Sequence, residues 1–120
     1  MRVVVQNGAQ HGLSRRNVEA MAKLFPTSWH QSVKSILLCG GQEVEAKFHT
    51  ANDTLSLSWP SAPASATKEE ALDALIVALA TLSETGSLPR RMTASARAAC
   101  LASAESVRRN CLTILQERAA

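Results

Sequence analysis

The spacing of apolar residues changes near Trp59 and Pro60, and this change constrains the fold more than any other feature of the chain. In residues 43–59 apolar and polar residues alternate, as they do in half-buried strands. Beyond residue 67 apolar residues recur at three- and four-residue spacing, as they do in packed helices. The sequence therefore predicts an α+β domain. Because 120 residues fit one domain, we expect residues 1–120 to form a single unit.

The first half of the chain predicts a three- to four-stranded, mainly antiparallel sheet. Residues 33–59 contain three short strand-like runs separated by turn signals, so they predict an antiparallel meander. Gly40 and Gly41 are a tight-hairpin signal, because both accept positive φ. The β-branched run at residues 2–6 is a candidate fourth strand. Alternation predicts one sheet face on the core and the other in water.

The helical signals predict a short N-terminal helix and two longer helices in the second half. The short helix covers about residues 15–25, and an apolar helix covers about residues 68–85. Thr67 and Glu70 form a capping-box pattern at the start of the apolar helix. A long C-terminal helix is expected over about residues 93–117. The middle of the apolar helix is apolar on every side, which is typical of a helix packed between two layers.

Composition and segment lengths favour a cytoplasmic protein without a membrane anchor. No apolar stretch approaches the ~18 residues needed to cross a bilayer. The apolar run at residues 3–5 is too short for a secretory signal, and Gly8 follows it closely. Three cysteines without CxxC spacing do not form a disulfide framework. We therefore expect a reduced cytoplasmic setting.

The histidines do not indicate a metal or cofactor site. His11, His30 and His49 fall in a predicted loop, a turn and a solvent-facing strand position, without HxxxH spacing. We interpret them as ordinary histidines, and we expect no metal and no cofactor. The sequence also contains no GxGxxG or P-loop pattern. A non-enzymatic protein is the expectation, with an enzyme cleft near His11, His30 or Cys39 as the third hypothesis.

The cysteines favour core packing over catalysis. Cys100 and Cys111 share one helix face but are eleven residues apart, roughly 16 Å along an α-helix, which excludes a disulfide between them. Cys39 ends a predicted strand beside two glycines, and its reactivity stays open. A cysteine nucleophile needs a neighbouring base and an electropositive pocket, and the sequence indicates neither.

The basic residues of the last third support an alternative function, that of a nucleic-acid-associated accessory protein. The candidate phosphate contacts are Arg90, Arg91, Arg97, Arg108 and Arg109, joined by Arg15 and Arg16 at a helix start. The chain has no Tyr, two Phe and two Trp, so base stacking is poorly provided. Glu105 is also placed to pair with the arginines three and four residues later. A salt-bridged helix edge is the preferred interpretation.

One face of the predicted C-terminal helix favours a protein partner. This face carries only small, uncharged residues: Ala98, Ala99, Ala102, Ser103 and Ser106. Small residues let a second helix approach closely, although an Ala-rich face also simply favours helix formation. The leading hypothesis is a protein–protein interaction module that binds an unknown partner, or itself as a homodimer, through this helix or the open sheet face.

The order of elements over residues 14–85 resembles that of small zinc-peptidase domains. The shared layout is a helix, antiparallel strands ending in an aromatic residue, and a buried helix that begins with acidic residues. In that family the buried helix carries H-E-x-x-H. Here the corresponding residues 75–81 read LIVALAT, with neither histidine nor glutamate. The resemblance implies a catalytically inactive relative, which is the second alternative.

Overall fold

The computed structural model describes residues 1–6, 11–60, 67–89 and 91–119, and four strands of this part of the chain form one mixed sheet. The strands are β1 (Arg2–Val5), β2 (Ser35–Gly41), β3 (Glu45–His49) and β4 (Thr54–Pro60). Their order across the sheet is β1-β2-β4-β3. β1, β2 and β4 run parallel, whereas β3 pairs with β4 in the antiparallel direction at the sheet edge. The α+β class with four strands is therefore confirmed.

The predicted meander over residues 33–59 is wrong, because β2 and β3 are not neighbours. Gly40 and Gly41 do not turn but extend β2 and pair with Trp59 and Pro60 of β4. Residues 42–44 then carry the chain past the end of β4 to the far edge. A Cβ on Gly41 would lie 2.9 Å from the Ser58 Cβ, so this glycine permits a close approach and not a turn. Only the β3–β4 hairpin follows the prediction.

The described part of the chain contains five helices: α1 (Arg15–Ala22), α2 (Thr27–Ser32), α3 (Lys68–Thr85), α4 (Ala94–Ser103) and α5 (Glu105–Ala119). The predicted apolar helix matches α3, whose N-cap Thr67 accepts a hydrogen bond from the Glu70 N–H. The N-terminal helix is shorter than the predicted range of residues 15–25. α1 ends at Ala22, and Pro26 is the N-cap of a separate short helix, α2.

The predicted single C-terminal helix over residues 93–117 is also wrong. Ala104 leaves the helical conformation, with φ −105° and ψ 20°, and separates α4 from α5. Ala104 is buried, and α4 packs on α3, while α5 packs on both α1 and α3. No glycine or proline marks the break. Tertiary packing therefore overrides a continuous helical pattern at this residue.

The core lies between the helices and one face of the sheet. Ile36, Leu38, Leu55 and Leu57 are fully buried on this face, and their partners in register belong to neighbouring strands. α3 contacts β3 and β4 on one side and α2, α4 and α5 on its remaining sides. This arrangement accounts for its apolar residues all round the helix.

The opposite sheet face is more exposed, as alternation predicts, although Ser56 in β4 is buried. Leu37 and Cys39 in β2 are half-buried, and Val4 in β1 is exposed. Within the described ranges, no helix is both long and apolar enough to cross a membrane.

Candidate functional site

A groove of about 500 Å³ runs along the outer edge of β3. Among the described residues, β3 pairs only with β4, so its other side has no strand partner. Five consecutive residues, 43–47, line the groove. Glu43 and Val44 lead into β3, and Glu45, Ala46 and Lys47 are its first three residues. Because consecutive side chains of a strand point to opposite faces, a cavity lined by all three follows the strand edge and not one face.

The main-chain groups that face this groove can be assigned from the β3–β4 pairing. The Glu45 N–H donates to the Ser58 Oγ at 3.1 Å, and the Ser56 Oγ donates to the Lys47 carbonyl at 3.3 Å. The Glu45 and Lys47 main chains therefore face β4. Because alternate residues of a strand direct their N–H and C=O groups to opposite sides, those of Ala46 face the groove.

The floor of the groove is one face of α3. Ala74, Val77 and Ala78, spaced i, i+3 and i+4, line it. Their short side chains leave space between the helix and the strand edge. No histidine or carboxylate from α3 lines the groove, in agreement with the absence of H-E-x-x-H from this helix. The floor can therefore accept apolar groups but offers no metal ligand.

The far wall of the groove is the segment that joins α3 to α4. Gly86 ends α3 with φ 75°, a conformation that favours glycine, and its N–H donates to the Leu82 carbonyl at 2.9 Å. The chain then turns, and apolar residues of the following segment complete the wall: Leu88, Pro89 and Met92. The cap at Gly86 thus also places the groove wall.

The structure divides the predicted arginine cluster between two locations. Arg91 and Arg97 line the groove, where both are exposed. Arg108 bonds Asp73 on α3 at 2.6 Å, and Arg109 bonds Glu105 at 2.8 Å. The hydrogen bond that the Arg108 guanidinium donates to the Asp73 carboxylate raises the pKa of Arg108.

The pairing with Glu105 expected from the sequence is therefore found for Arg109, whereas Arg108 pairs with Asp73 of another helix, and Arg90 lies outside the described residues. At the other end of the chain, Arg15 pairs with Glu19 at 2.6 Å. The candidate phosphate contacts that the structure describes therefore do not form one basic surface of unpaired arginines.

The small-residue face is exposed at all five positions: Ala98, Ala99, Ala102, Ser103 and Ser106. The break at Ala104 places Ser106 on α5 and the other four on α4. The face is therefore not one continuous helix surface. Its role in self-association stays a prediction.

His11 holds the loop that precedes α1 against the sheet. Its Nδ1 accepts from the Leu13 N–H at 3.0 Å, so the neutral ring carries its proton on Nε2, which donates to the Leu57 carbonyl at 3.0 Å. The ring also lies 5.5 Å, centroid to centroid, from the Trp59 indole. Burial lowers the pKa of His11, because it disfavours the charged ring.

We expect this lowered pKa to make the protein less stable in mild acid. The unfolded state binds a proton near the ordinary pKa of 6.5, whereas the folded state resists it. The contribution of neutral His11 to the free energy of unfolding is therefore complete above pH 6.5. It is lost as the pH falls from 6.5 towards the lower pKa of His11 in the folded state.

Urea unfolding at a series of pH values measures this effect. His11→Gln should reduce the decline of the unfolding free energy below pH 6.5. The exposed residue His49 provides the control, since His49→Gln should leave that decline in place. An identical pH dependence in wild type and His11→Gln would contradict the assignment.

The other histidines also have protein partners and lie in different places. The His30 Nε2 lies 2.8 Å from the Ala22 carbonyl and connects α2 to the end of α1. The His49 Nε2 lies 3.2 Å from the Ser56 Oγ on the open sheet face. In the described ranges, no group of three His, Cys, Asp or Glu residues is close enough to hold a metal ion.

Cys39 lacks the environment of a catalytic thiolate. Burial raises the pKa of its thiol, against a smaller lowering effect of the Lys47 charge. The Sγ lies 3.7 Å from the Leu57 carbonyl, the same oxygen that His11 contacts, but the His11 Nε2 donates there and is not a free base. Cys111 is buried in the core, which raises its pKa to about 11.

No family model matches this chain, and neither a curated protein nor a solved structure is similar enough to match it.

The groove was not predicted from the sequence, because its edge is main chain and its floor is three ordinary apolar residues. One signal was present. Glu43, Glu45 and Lys47 place charges on a short strand, which is typical of an edge strand. Such a pattern identifies an edge but not the helix that lies beside it.

Proposed function

We propose that this protein is a non-enzymatic interaction module that binds an extended segment of a partner protein in the groove along β3. The bound segment adds to the sheet as a fifth strand. Its main chain exchanges hydrogen bonds with the outward groups of Ala46, and its side chains enter the groove alternately.

The observation that carries this proposal is that one strand edge, unpaired in the part of the chain that the structure describes, adjoins a groove. An exposed edge alone is a general feature of open sheets, and natural proteins usually protect it. Here the edge is bordered by α3 and the α3–α4 segment, so a strand at this position gains side-chain contacts as well as main-chain hydrogen bonds. The strand side of the groove, residues 43–47, is five residues or roughly 17 Å long when extended, which suits a short extended peptide.

The apolar lining defines what half of the bound side chains should be. Residues of the peptide that face α3 meet Ala74, Val77 and Ala78, so small or medium apolar side chains fit there. The residues between them point away from the helix and are free to be polar. We therefore expect a preference for alternating apolar and polar residues, as in a half-buried strand.

The test removes the outward N–H of β3 without changing its bonds to β4. Ala46→Pro eliminates this donor and places a ring at the open edge, where proline is tolerated in strands. We expect affinity for peptides selected by the wild type from a random phage-displayed library to fall by roughly tenfold or more. Unfolding free energy should change by less than about 1 kcal/mol, since the β4 ladder is intact.

Ala46→Ser is the matched control, because it keeps the N–H and adds one oxygen to the side chain. Fluorescence anisotropy measures the affinity of the wild type and of both variants for one selected peptide. Equal affinity of wild type and Ala46→Pro would contradict strand addition at β3. Failure of the library to yield any peptide that binds the wild type would contradict the interaction function of the groove.

A further inference from the structure

We infer that the segment bound in the groove carries an acidic side chain, Asp or Glu, that meets Arg91 and Arg97. This inference depends on the proposed function, because it names the chemistry of the same ligand. The two arginines line the groove and are both exposed. They form the basic rim of the groove, opposite the strand edge.

The basic rim differs from Arg108 and Arg109 by having no partner within the described ranges. Arg108 and Arg109 each bond a carboxylate of the chain, at 2.6 and 2.8 Å. Neither Arg91 nor Arg97 has a carboxylate oxygen within 4.0 Å among the described residues. A guanidinium without an internal carboxylate can form a charge-assisted, bidentate pair with one supplied by a ligand.

The start of α4 adds to the positive potential at this rim. α4 begins at Ala94 between the two arginines and has no acidic residue in its first turn. The partial positive charge of its N-terminus is therefore not offset by its own side chains. By contrast, α3 begins with Glu69 and Glu70. Ala94, Ser95 and Ala96 do not themselves line the groove, so the helix start adds only to the general potential near the rim.

The two sides of the groove differ in charge, and this difference selects the orientation of the ligand. Glu43 and Glu45 lie on the strand side, where Glu45 is 3.9 Å from the Lys47 Nζ. Lys47 offsets Glu45, so Glu43 leaves the strand side with a small net negative charge, and an acidic side chain of the peptide is attracted mainly by the basic rim. One acidic residue on an otherwise apolar and polar alternating segment therefore fixes the direction in which the peptide lies.

The test compares the peptides that the wild type and a double variant without the two rim arginines select from the same random library. We expect Asp and Glu to be enriched at one position of the wild-type peptides, and the enrichment to disappear with Arg91→Gln plus Arg97→Gln. For one selected peptide, the double variant should lower affinity roughly five- to twentyfold, and rising salt should reduce the difference. Arg109→Gln is the control, because Arg109 lies on α5 and pairs with Glu105.

The outcomes separate this inference from the proposed function. Selected peptides without an acidic preference, whose binding still weakens with Ala46→Pro, would overturn the role of the basic rim and leave strand addition intact. Equal affinity of wild type and the double variant for an acidic peptide would also overturn it. If wild type selects no peptide, both the proposed function and this inference are wrong.

Discussion

Replacing Leu75 by alanine should lower the free energy of unfolding by about 2–5 kcal/mol, the largest effect expected of any single change considered for this protein. Leu75 is fully buried at the centre of α3, where the helix contacts both the sheet and the other helices. Removing three carbon atoms loses their transfer free energy and leaves a cavity that surrounding elements can fill only in part. Urea denaturation followed by circular dichroism measures this change.

Leu24→Ala provides a control with the same chemical change. Leu24 is 42% exposed just beyond α1, so its truncation should alter stability by less than about 1 kcal/mol. A similar loss of stability in both variants would contradict the placement of α3 between two layers.

Replacing Gly12 by alanine should destabilise the protein by about 1–3 kcal/mol, because the added methyl group has no space. A Cβ at this position would lie 2.3 Å from the Trp59 Cη2 and 2.4 Å from its Cζ3. Since a carbon contact below 3.0 Å is essentially never observed, the indole must move. Its displacement would also disturb His11, whose ring packs against it. Tryptophan fluorescence and urea unfolding together measure the movement and its cost.

Two further variants separate this clash from general effects of removing a glycine. Gly40→Ala adds the same methyl group where nothing lies within 4 Å, so it should be close to neutral. Gly12→Ala combined with Trp59→Leu should be less destabilising than the sum of the two single changes, because the smaller side chain removes the clash. Strict additivity of the two changes would refute the proposed contact.

The sequence was sufficient to predict elements whose signals are local. Thr67 and Gly86 mark the ends of α3 because a cap depends on one side chain or on one φ angle. The faces of the strands also followed from alternation, which depends only on backbone geometry. Such features need no knowledge of which elements are neighbours.

Strand order could not be predicted in the same way, because adjacency is not encoded locally. Gly40 and Gly41 look like a hairpin, but β2 is central and pairs with β1 and β4 on its two sides. The run Ile36-Leu37-Leu38-Cys39 does not alternate, which is typical of a parallel strand with neighbours on both sides. That signal was outweighed by the turn signal. The break at Ala104 had no signal at all.

The candidate site was predictable only in part. Arg91 and Arg97 were identified as candidate anion contacts, but their separation from Arg108 and Arg109 depends on where Asp73 and Glu105 lie. The small-residue face of α4 is exposed, as its composition suggested. The groove itself required the sheet order, because that order places β3 at an edge beside α3.

The strand order also determines the order in which the strands can pair during folding. β3 and β4 are joined by four residues, so their hairpin can close within microseconds of collapse. The parallel pairing of β2 with β4 joins residues nineteen apart in the sequence, such as Ile36 and Leu55. The pairing of β1 with β2 joins residues more than thirty apart. Longer loops carry a greater entropic cost of closure. A nascent chain therefore cannot complete its sheet until β4 has left the ribosome, and the hairpin that borders the groove is the natural nucleus for the rest.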